Sequence, residues 1–339
     1  MSRALALLPP LVALAIALAV AGAWLALLGA DPSAALGALA SGAFGDAVAL
    51  ESTAVRAGPL LLVGLGVALS FRCGIWNIGG EGQLLAGALA ATAVATRLLG
   101  AAPPGWLGVP LALAIGAAAG AGLAGIAALL KVRRGVSEVL STILLNFIAA
   151  LLVAWAVHGP LQEASGAYPQ SDPFPDGVRL ALLPGLHRAH AGLVLAALVP
   201  AALWLLLFRT AAGLRLRAVG LAPDAARYAA VSPERETVRV LLLSGALAGL
   251  AGALEVSGVT GRLFENLATG YGFTAIAVAL LGRLNPLGVV PAALFFAALA
   301  VGSGAMQRVA AVPSVAVQVI EALVIFFSLG FALPRAGSA

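Results

Sequence analysis

The sequence has few charged residues and almost no cysteine or histidine. Charged residues make up 10% of the 339 positions, against about 25% in soluble domains, whereas 62% are hydrophobic. The single cysteine, Cys73, excludes an intrachain disulfide and a cysteine-rich metal site. The three histidines, His158, His187 and His190, match no zinc-binding spacing. The composition therefore predicts a membrane protein without a metal site.

The sequence also lacks the motifs of nucleotide hydrolysis and of common hydrolases. A phosphate-binding loop needs a lysine followed by Ser or Thr, and the only lysine, Lys131, is followed by Val132. Neither HExxH nor GxSxG occurs. We therefore predict that the chain is not an enzyme and binds no cofactor itself. The high pI does not indicate a nucleic-acid partner, because the basic residues cluster in loops rather than along one face.

Long apolar segments recur along the whole chain, whose mean hydropathy is +1.06. A helix needs about 20 apolar residues to cross a bilayer. The predicted fold is an all-α polytopic membrane protein, with residues 1–339 as one transmembrane domain. The first apolar stretch is long enough to be a retained span rather than a signal peptide. About ten spans are predicted, at 7–28, 57–71, 82–99, 107–130, 138–158, 190–208, 238–256, 271–282, 286–303 and 313–332.

The basic residues indicate the orientation of these spans. Short cytoplasmic loops are enriched in Lys and Arg, and the densest clusters are KVRRG and the segment 209–239. Both termini are then cytoplasmic, in agreement with Arg3 and Arg335. The loop 159–189 falls outside, although it contains two arginines that oppose the rule.

Two of the predicted spans, 57–71 and 271–282, are short and interrupted. Each apolar run is followed by an arginine, an asparagine and glycines, then by a second apolar run. Irregular backbone at membrane depth is tolerated only where it is buried in protein or lines a cavity. We therefore expect broken helices beside a transport pathway. A structural repeat and a chance similarity both remain open.

The first interruption, FRCGIWNIGGEGQ, places two charges between apolar segments. A charge at the bilayer centre costs roughly 2.5 to 3.5 kcal/mol, so Arg72 and Glu81 need compensation. They either line a polar pathway or form a structural ion pair. Polar and aromatic neighbours in the same stretch are Asn77 and Gln83, which offer hydrogen bonds, and Phe71 and Trp76, which offer stacking faces.

Further polar and aromatic residues lie within the predicted spans. Glu138, Thr142 and Asn146 form one helical stripe, in which Glu138 follows the possible N-cap residue Ser137. Asn146 either lines a pathway or makes an interhelical hydrogen bond.

Near the second interruption, Tyr271 and Phe273 form an interfacial belt or a stacking surface beside Asn285.

The cytoplasmic segment 209–237 is amphipathic. Gly213 and Gly220 punctuate it, and Pro223 begins a second short helix, PDAARYAA. Such a helix pair either lies on the membrane surface or is a docking element for a soluble partner.

FRCGIWNIGGEGQLLAGALAA resembles the F-R-x-G-x-x-N-I-G-x-E-G-Q signature of permease subunits of bacterial nucleoside ABC importers. These subunits belong to the branched-chain amino acid and ribose permease superfamily. GVSEVLSTILLNFIA, GLRLRAVGLAPDAARYAAVS and FTAIAVALLGRLNPLGVVPAALFFAAL are similar to later segments of that family, in the same order. The resemblance implies a type II ABC importer-like permease, of the larger of two permease types, in the bacterial inner membrane.

The resemblance also implies partners and residue roles. The expected partners are a second, non-identical permease, an ATPase that binds ATP and Mg²⁺, and an extracytoplasmic nucleoside-binding lipoprotein. The expected substrate pathway comprises Phe71, Arg72, Trp76, Asn77, Glu81, Gln83, Asn146, Tyr271, Phe273 and Asn285. The expected contacts for ATPase coupling are Gly213, Leu214, Arg217, Ala218, Val219, Gly220, Ala225, Ala226 and Tyr228.

Other functions are compatible with parts of the sequence. The cargo of such an importer is alternatively a sugar or another small polar solute. A secondary transporter driven by an ion gradient would use carboxyl groups such as Glu81 and Glu321. The large amphipathic cytoplasmic loop argues against it, because a self-contained carrier does not require one. A membrane-embedded enzyme lacks a catalytic constellation.

Overall fold

The computed structural model describes residues 31–99, 103–268 and 270–310, with isolated positions on either side. Within these ranges the chain is helical and contains no β-strand. The helices are α1 (Pro32–Phe44), α2 (Ala47–Arg72), α3 (Gly80–Ala93), α4 (Gly105–Arg134), α5 (Glu138–Val157), α6 (Ala191–Arg209), α7 (Ala211–Leu221), α8 (Pro223–Tyr228), α9 (Pro233–Glu255), α10 (Tyr271–Leu281) and α11 (Pro286–Ala310). Two π-helical turns, Val94–Leu98 and Val256–Thr260, continue α3 and α9, and Asp176–Val178 is a short 3-10 helix.

Six of these helices are long and apolar enough to cross a membrane, namely α2, α4, α5, α6, α9 and α11. They confirm the predicted spans 107–130, 138–158, 190–208 and 286–303 to within a few residues at most ends. α10 has 11 residues and is too short to cross a bilayer alone, as expected of an interrupted span. The predicted spans 7–28 and 313–332 lie outside the described ranges. The total of ten spans is therefore not confirmed.

The predicted short span 57–71 is wrong, because α2 begins at Ala47 and is 26 residues long. The polar residues that ended the apolar run in the sequence have partners inside the protein. The Asp46 carboxylate accepts a hydrogen bond from the Ala49 N–H and caps the helix. The Thr53 hydroxyl donates to the Ala43 carbonyl, and Glu51 accepts from the backbone N–H of His187.

α9 lies at the centre of the bundle and packs against α2, α3 and α4. Its contact with α4 depends on glycine, because a Cβ at Gly120 would collide with the Gly245 carbonyl oxygen. Small residues let two helix backbones approach closely, and this is a common basis of helix association in membranes. The close approach fixes the position of the polar residues that α9 carries.

The two ends of the bundle differ in structure. One end, here called the loop end, is formed by 158–190 and 261–268. These segments are joined by the hydrogen bond from Ser171 N–H to the Leu263 carbonyl, 2.9 Å, and by the Arg262–Glu163 ion pair, 3.5 Å. The other end carries α7 and α8, within the predicted coupling segment 209–237. The exterior position of the loop end stays a prediction from the distribution of basic residues.

Candidate functional site

The turn between α2 and α3 interrupts a regular helical bundle. α2 ends at Arg72, Gly74 adopts a left-handed conformation with φ +75°, and α3 begins at Gly80. The N–H groups of Cys73, Gly74 and Ile75 still donate to carbonyls in the last turn of α2. The backbone groups of the residues that follow need other partners inside an apolar bundle.

α5 supplies those partners through its polar stripe. Thr142 accepts a hydrogen bond from the Ile78 N–H, and Asn146 both accepts from the Gly82 N–H and donates to the Ile78 carbonyl. Glu138 lies 3.4 Å from the Trp76 backbone nitrogen and pairs with Lys131. The stripe therefore holds the turn in place.

Two details of the α5 prediction are settled by these contacts. Ser137 stands at the N-cap position, but its side chain makes no capping hydrogen bond. Asn146 hydrogen-bonds to the backbone of a neighbouring element, which agrees with the second of its two predicted roles, an interhelical hydrogen bond. It is not among the residues that line the cavity described below.

Asn77 and Gln83 close the turn from inside. Both side chains are buried, and their amides exchange two hydrogen bonds of 3.0 Å. The Asn77 amide also donates to Ser244 on α9, 2.9 Å, and accepts from the Gly79 N–H, 2.9 Å. Because each Asn77 donor and acceptor group has a partner, the side chain stabilises the turn.

Arg72 and Glu81 do not form the ion pair that the sequence allowed. Glu81 accepts hydrogen bonds from the N–H groups of Gly270 and Gly272, at the N-terminus of α10. Arg72 Nε donates to the Leu284 carbonyl, just beyond the C-terminus of α10, at 2.5 Å. Each charge has the sign that the helix dipole favours at that end. The cost of the two charges is therefore offset by the broken helix itself.

Tyr271, the first residue of α10, links two charged side chains. Its buried hydroxyl accepts a hydrogen bond from Arg56 at 2.6 Å and lies 3.4 Å from the Glu255 carboxyl. The Arg56 guanidinium carbon also lies 4.1 Å from the centre of the Tyr271 ring. Tyr271 is therefore a core residue and not part of an interfacial belt. Arg56 and Glu255 were not among the site residues predicted from the sequence, although Glu255 is a carboxyl group inside the apolar run GALEVSG.

These three side chains lie at a cavity of about 990 Å³ that opens toward the loop end. The π-helical turn after Glu255 contributes Ser257, Gly258 and Val259 to its wall. The exposed arginines among its lining residues are Arg179, Arg188 and Arg308. Of the predicted pathway residues, only Tyr271 lines this cavity.

The remaining predicted pathway residues lie elsewhere. Phe71 and Trp76 contact each other, with ring centres 4.5 Å apart, at the α7–α8 end of α2. Phe273 is 53% exposed on α10, and the Asn285 side chain accepts a hydrogen bond from the Leu287 N–H at the start of α11. The structure therefore does not bring Phe273 and Asn285 together with Tyr271 into one stacking surface.

At the other end of the bundle, α7 packs on the turn after α2. A Cβ at Gly220 would collide with the Arg72 carbonyl oxygen, so the two backbones are in direct contact. Gly213 and Gly220 were expected to interrupt this segment, but α7 is one continuous helix. Gly213 lies against the backbone carbonyls at the end of α6. The predicted second helix at Pro223 is confirmed as α8.

The predicted coupling residues divide into three groups by their exposure. The buried ones face the bundle, namely Gly213, Val219 and Ala226. Leu214 and Tyr228 are 60% and 95% exposed, and Ala225 is also exposed. Arg217, Ala218 and Gly220 are intermediate. The Glu234 carboxylate, in the first turn of α9, raises the pKa of Arg227 on α8 through a hydrogen bond of 2.7 Å.

The chain is similar to permease subunits of ABC transporters. Residues 49–329 match the family described as "Branched-chain amino acid transport system / permease component". The glucose ABC transporter permease protein TsgB13 of Haloferax volcanii is 39% identical over 94% of this chain and 86% of its own length. The guanosine ABC transporter permease proteins NupP and NupQ of Bacillus subtilis are 37% and 30% identical, over 95% and 74% of this chain and 92% and 79% of their own lengths. No solved structure gave a significant match.

The helical bundle and these matches define a multi-pass permease subunit of an ABC transporter of the nucleoside and sugar type. The chain belongs to the branched-chain amino acid transport system permease family. Its relatives are permeases, so ATP hydrolysis is carried out by a separate ATPase. Membership in this family removes the alternatives of an ion-driven carrier and of a membrane-embedded enzyme.

Proposed function

We propose that this chain is one of two different permease subunits of an ATP-driven nucleoside importer. The observation that carries the proposal is a continuous set of contacts between the α7–α8 end and the cavity. α7 touches the turn at Arg72, Arg72 holds one end of α10, and the other end of α10 carries Tyr271 at the cavity. A displacement of α7 would therefore reach the cavity through one short helix.

The position of α7 is also tied to the central helix. The buried Glu236 carboxylate of α9 pairs with Arg239 at 2.6 Å and lies 3.6 Å from Arg215 of α7. A helix that is held to both α9 and the turn after α2 is suited to move them together when a partner pushes on it. We propose that this partner is the ATPase, which binds ATP and Mg²⁺, whereas this chain binds no cofactor.

The surface that the ATPase would contact is the exposed side of α7 and α8. Leu214, Leu221 and Tyr228 are 60%, 87% and 95% exposed there. Large exposed apolar side chains next to arginines are typical of protein interfaces. This favours the docking interpretation of the amphipathic pair over a helix pair that merely lies on lipid.

The remaining partners follow from the relatives and from the cavity. Bacillus subtilis has two different guanosine permease proteins that are similar to this chain, which supports a second, non-identical permease here. The cavity opens at the loop end, where an extracytoplasmic nucleoside-binding lipoprotein would deliver its solute. The chain would lie in the plasma membrane with both termini cytoplasmic.

A sugar is the second candidate cargo, because the permease TsgB13, named for glucose, is 39% identical over 94% of this chain. Guanosine and glucose are both uncharged and both carry adjacent hydroxyl groups. The two cargoes therefore make similar demands on a polar cavity.

The test is to purify the chain from its host in mild detergent, identify the copurifying proteins, and reconstitute the complex in proteoliposomes. We expect an ATPase and a second permease, and ATP-dependent uptake of radiolabelled guanosine in the presence of the binding protein. Uptake of radiolabelled glucose without guanosine would replace nucleoside by sugar. Recovery of a homomer without an ATPase would contradict the proposal.

A further inference from the structure

The cavity floor has the chemistry of a site for adjacent hydroxyl groups. We propose that Arg56, Glu255, Tyr271 and Ser257 contact the vicinal hydroxyls of an uncharged solute, such as the ribose of a nucleoside. The inference rests on the proposed function, because it names the place in this chain where the imported solute is recognised. The four side chains come from α2, from the end of α9, from the π-helical turn and from α10.

The order of donors and acceptors supports this assignment. The Tyr271 hydroxyl stands between a guanidinium, 2.6 Å away, and a carboxyl, 3.4 Å away. The longer of these distances is at the edge of a hydrogen bond, and in the described part of the chain the Glu255 carboxyl has no other hydrogen-bond partner. A carboxyl can accept from two hydroxyls, and an arginine offers several donors. The pair therefore has unused capacity that a diol can fill.

Ser257 provides an independent observation. Ser257 is 2% exposed, and its hydroxyl oxygen has no hydrogen-bond partner among the described residues. Buried hydroxyl groups almost always have a partner, so an unpaired one beside a cavity has hydrogen-bonding capacity that a solute can use. Ser257 also belongs to the π-helical turn Val256–Thr260, and such turns occur frequently at functional sites.

The charges at the cavity floor favour an uncharged group at that position. At the floor, one arginine and one glutamate lie on either side of the Tyr271 hydroxyl, so their charges balance locally. The other arginines of the cavity, Arg179, Arg188 and Arg308, are exposed. One face of the Tyr271 ring is covered by the Arg56 guanidinium, which makes the phenol a hydrogen-bonding group here more than a stacking surface.

The first experiment compares two solutes in the reconstituted complex with saturating binding protein. Radiolabelled guanosine and 2′-deoxyguanosine differ by one hydroxyl of the diol. We expect Glu255→Gln to lower guanosine uptake about tenfold and 2′-deoxyguanosine uptake clearly less, relative to the unmodified chain. The control Glu138→Gln makes the same chemical change at the Lys131 pair, outside the cavity, and should change the uptake of both solutes by the same factor. An equal loss of both solutes in Glu255→Gln would overturn the proposal.

The second experiment reads occupancy directly and does not depend on transport. Ser52 lines the cavity, and the sole cysteine, Cys73, is buried, so Ser52→Cys gives a single accessible thiol in this chain. We expect guanosine, ribose or glucose at millimolar concentration to slow maleimide labelling of this introduced thiol severalfold, and Glu255→Gln or Ser257→Ala to abolish that protection. If the Ser52→Cys complex imports guanosine but no solute protects the introduced thiol from labelling, the site assignment is wrong. If no solute is imported but protection occurs, the proposed function fails and the site remains.

Discussion

Arg72 and Glu81 belong to one short sequence motif and bind opposite ends of the same helix, α10. Glu81 accepts hydrogen bonds from two backbone N–H groups at the N-terminus of α10, and Arg72 donates to the Leu284 carbonyl beyond the C-terminus of α10. The two charges are separated by the length of α10, so each compensates a helix terminus instead of the other charge. This relationship explains why a charged motif is tolerated between apolar segments.

Removing the charge at the N-terminus of α10 should destabilise the protein. Glu81→Gln retains a hydrogen-bond acceptor but loses the charge, and each charged hydrogen bond contributes about 1.5 to 3 kcal/mol. We expect a lower midpoint of thermal unfolding for the detergent-purified chain, and a larger decrease for Glu81→Ala. Glu265→Gln, at an exposed position of the loop end, is the control. An unchanged midpoint in both Glu81 variants would contradict the role of this carboxylate.

Gly220→Val should uncouple ATP hydrolysis from uptake. A side chain at Gly220 forces α7 away from the Arg72 carbonyl, and thereby away from the element that holds α10. We expect uptake to fall about tenfold, within the usual range of coupling energies, while ATPase activity and complex recovery are retained. Gly122→Val in α4 is the matched control, because no atom lies within 4 Å of a Cβ built there. A parallel loss of ATPase activity and uptake would indicate misassembly instead.

The sequence was sufficient to predict most of the architecture, because long apolar runs and glycine or proline breaks are local signals. It placed α4, α5 and α6 within a few residues and identified both breaks and the pair α7–α8. It did not predict α1 or the beginning of α2, where polar residues such as Glu51 interrupt the apolar pattern. The partners of Glu51, the backbone N–H groups of His187 and Arg188, lie more than a hundred positions away in the chain, and hydropathy contains no such information.

The candidate site was predictable only in part, for a related reason. Arg72 and Glu81 of the first break were expected either to line a pathway or to pair with each other. Their partners are instead backbone groups at the two ends of α10, and a backbone group leaves no trace in the sequence. The cavity floor combines Arg56, Glu255 and Tyr271 from three distant segments. Of these, Tyr271 was predicted, and Glu255 carried a usable signal as a carboxyl group inside an apolar run.

The amide pair of Asn77 and Gln83 should behave as one energetic unit. Asn77→Ala leaves buried groups of Gln83 and Ser244 without partners, which costs about 1 to 3 kcal/mol. Gln83→Ala should cost a similar amount, and the double variant clearly less than the sum. The measurement is a double-mutant cycle on unfolding midpoints in detergent. Additive losses would show that the two side chains act independently.

Leu221→Asp on α7 should weaken binding of the ATPase. The side chain is 87% exposed and has no buried contact to lose, so a charge there acts on the interface rather than on folding. We expect less ATPase to copurify with the chain while the second permease is recovered normally. Asp224→Ala on α8, where the side chain is 89% exposed, tests whether any change on this surface has the same effect. Normal ATPase recovery with Leu221→Asp would place the docking surface elsewhere.

The contact between the two segments of the loop end should weaken in acid. Hydrogen bonds from Ser165 and Gln170 hold the pKa of the Glu163 carboxyl below its ordinary value, and the carboxylate also pairs with Arg262 at 3.5 Å. The pKa of Glu163 is lower in the folded than in the unfolded protein. The stabilisation by its ionised carboxylate is therefore fully present above the unfolded pKa of about 4.3 and is lost as the pH falls through the folded pKa. We expect amide hydrogen exchange in 161–172, corrected for the intrinsic pH dependence, to increase over that acidic range. In Glu163→Gln the exchange should already be faster at neutral pH and should lack this acid-dependent step. An acid-dependent step of the same size in the variant would assign the effect to another group.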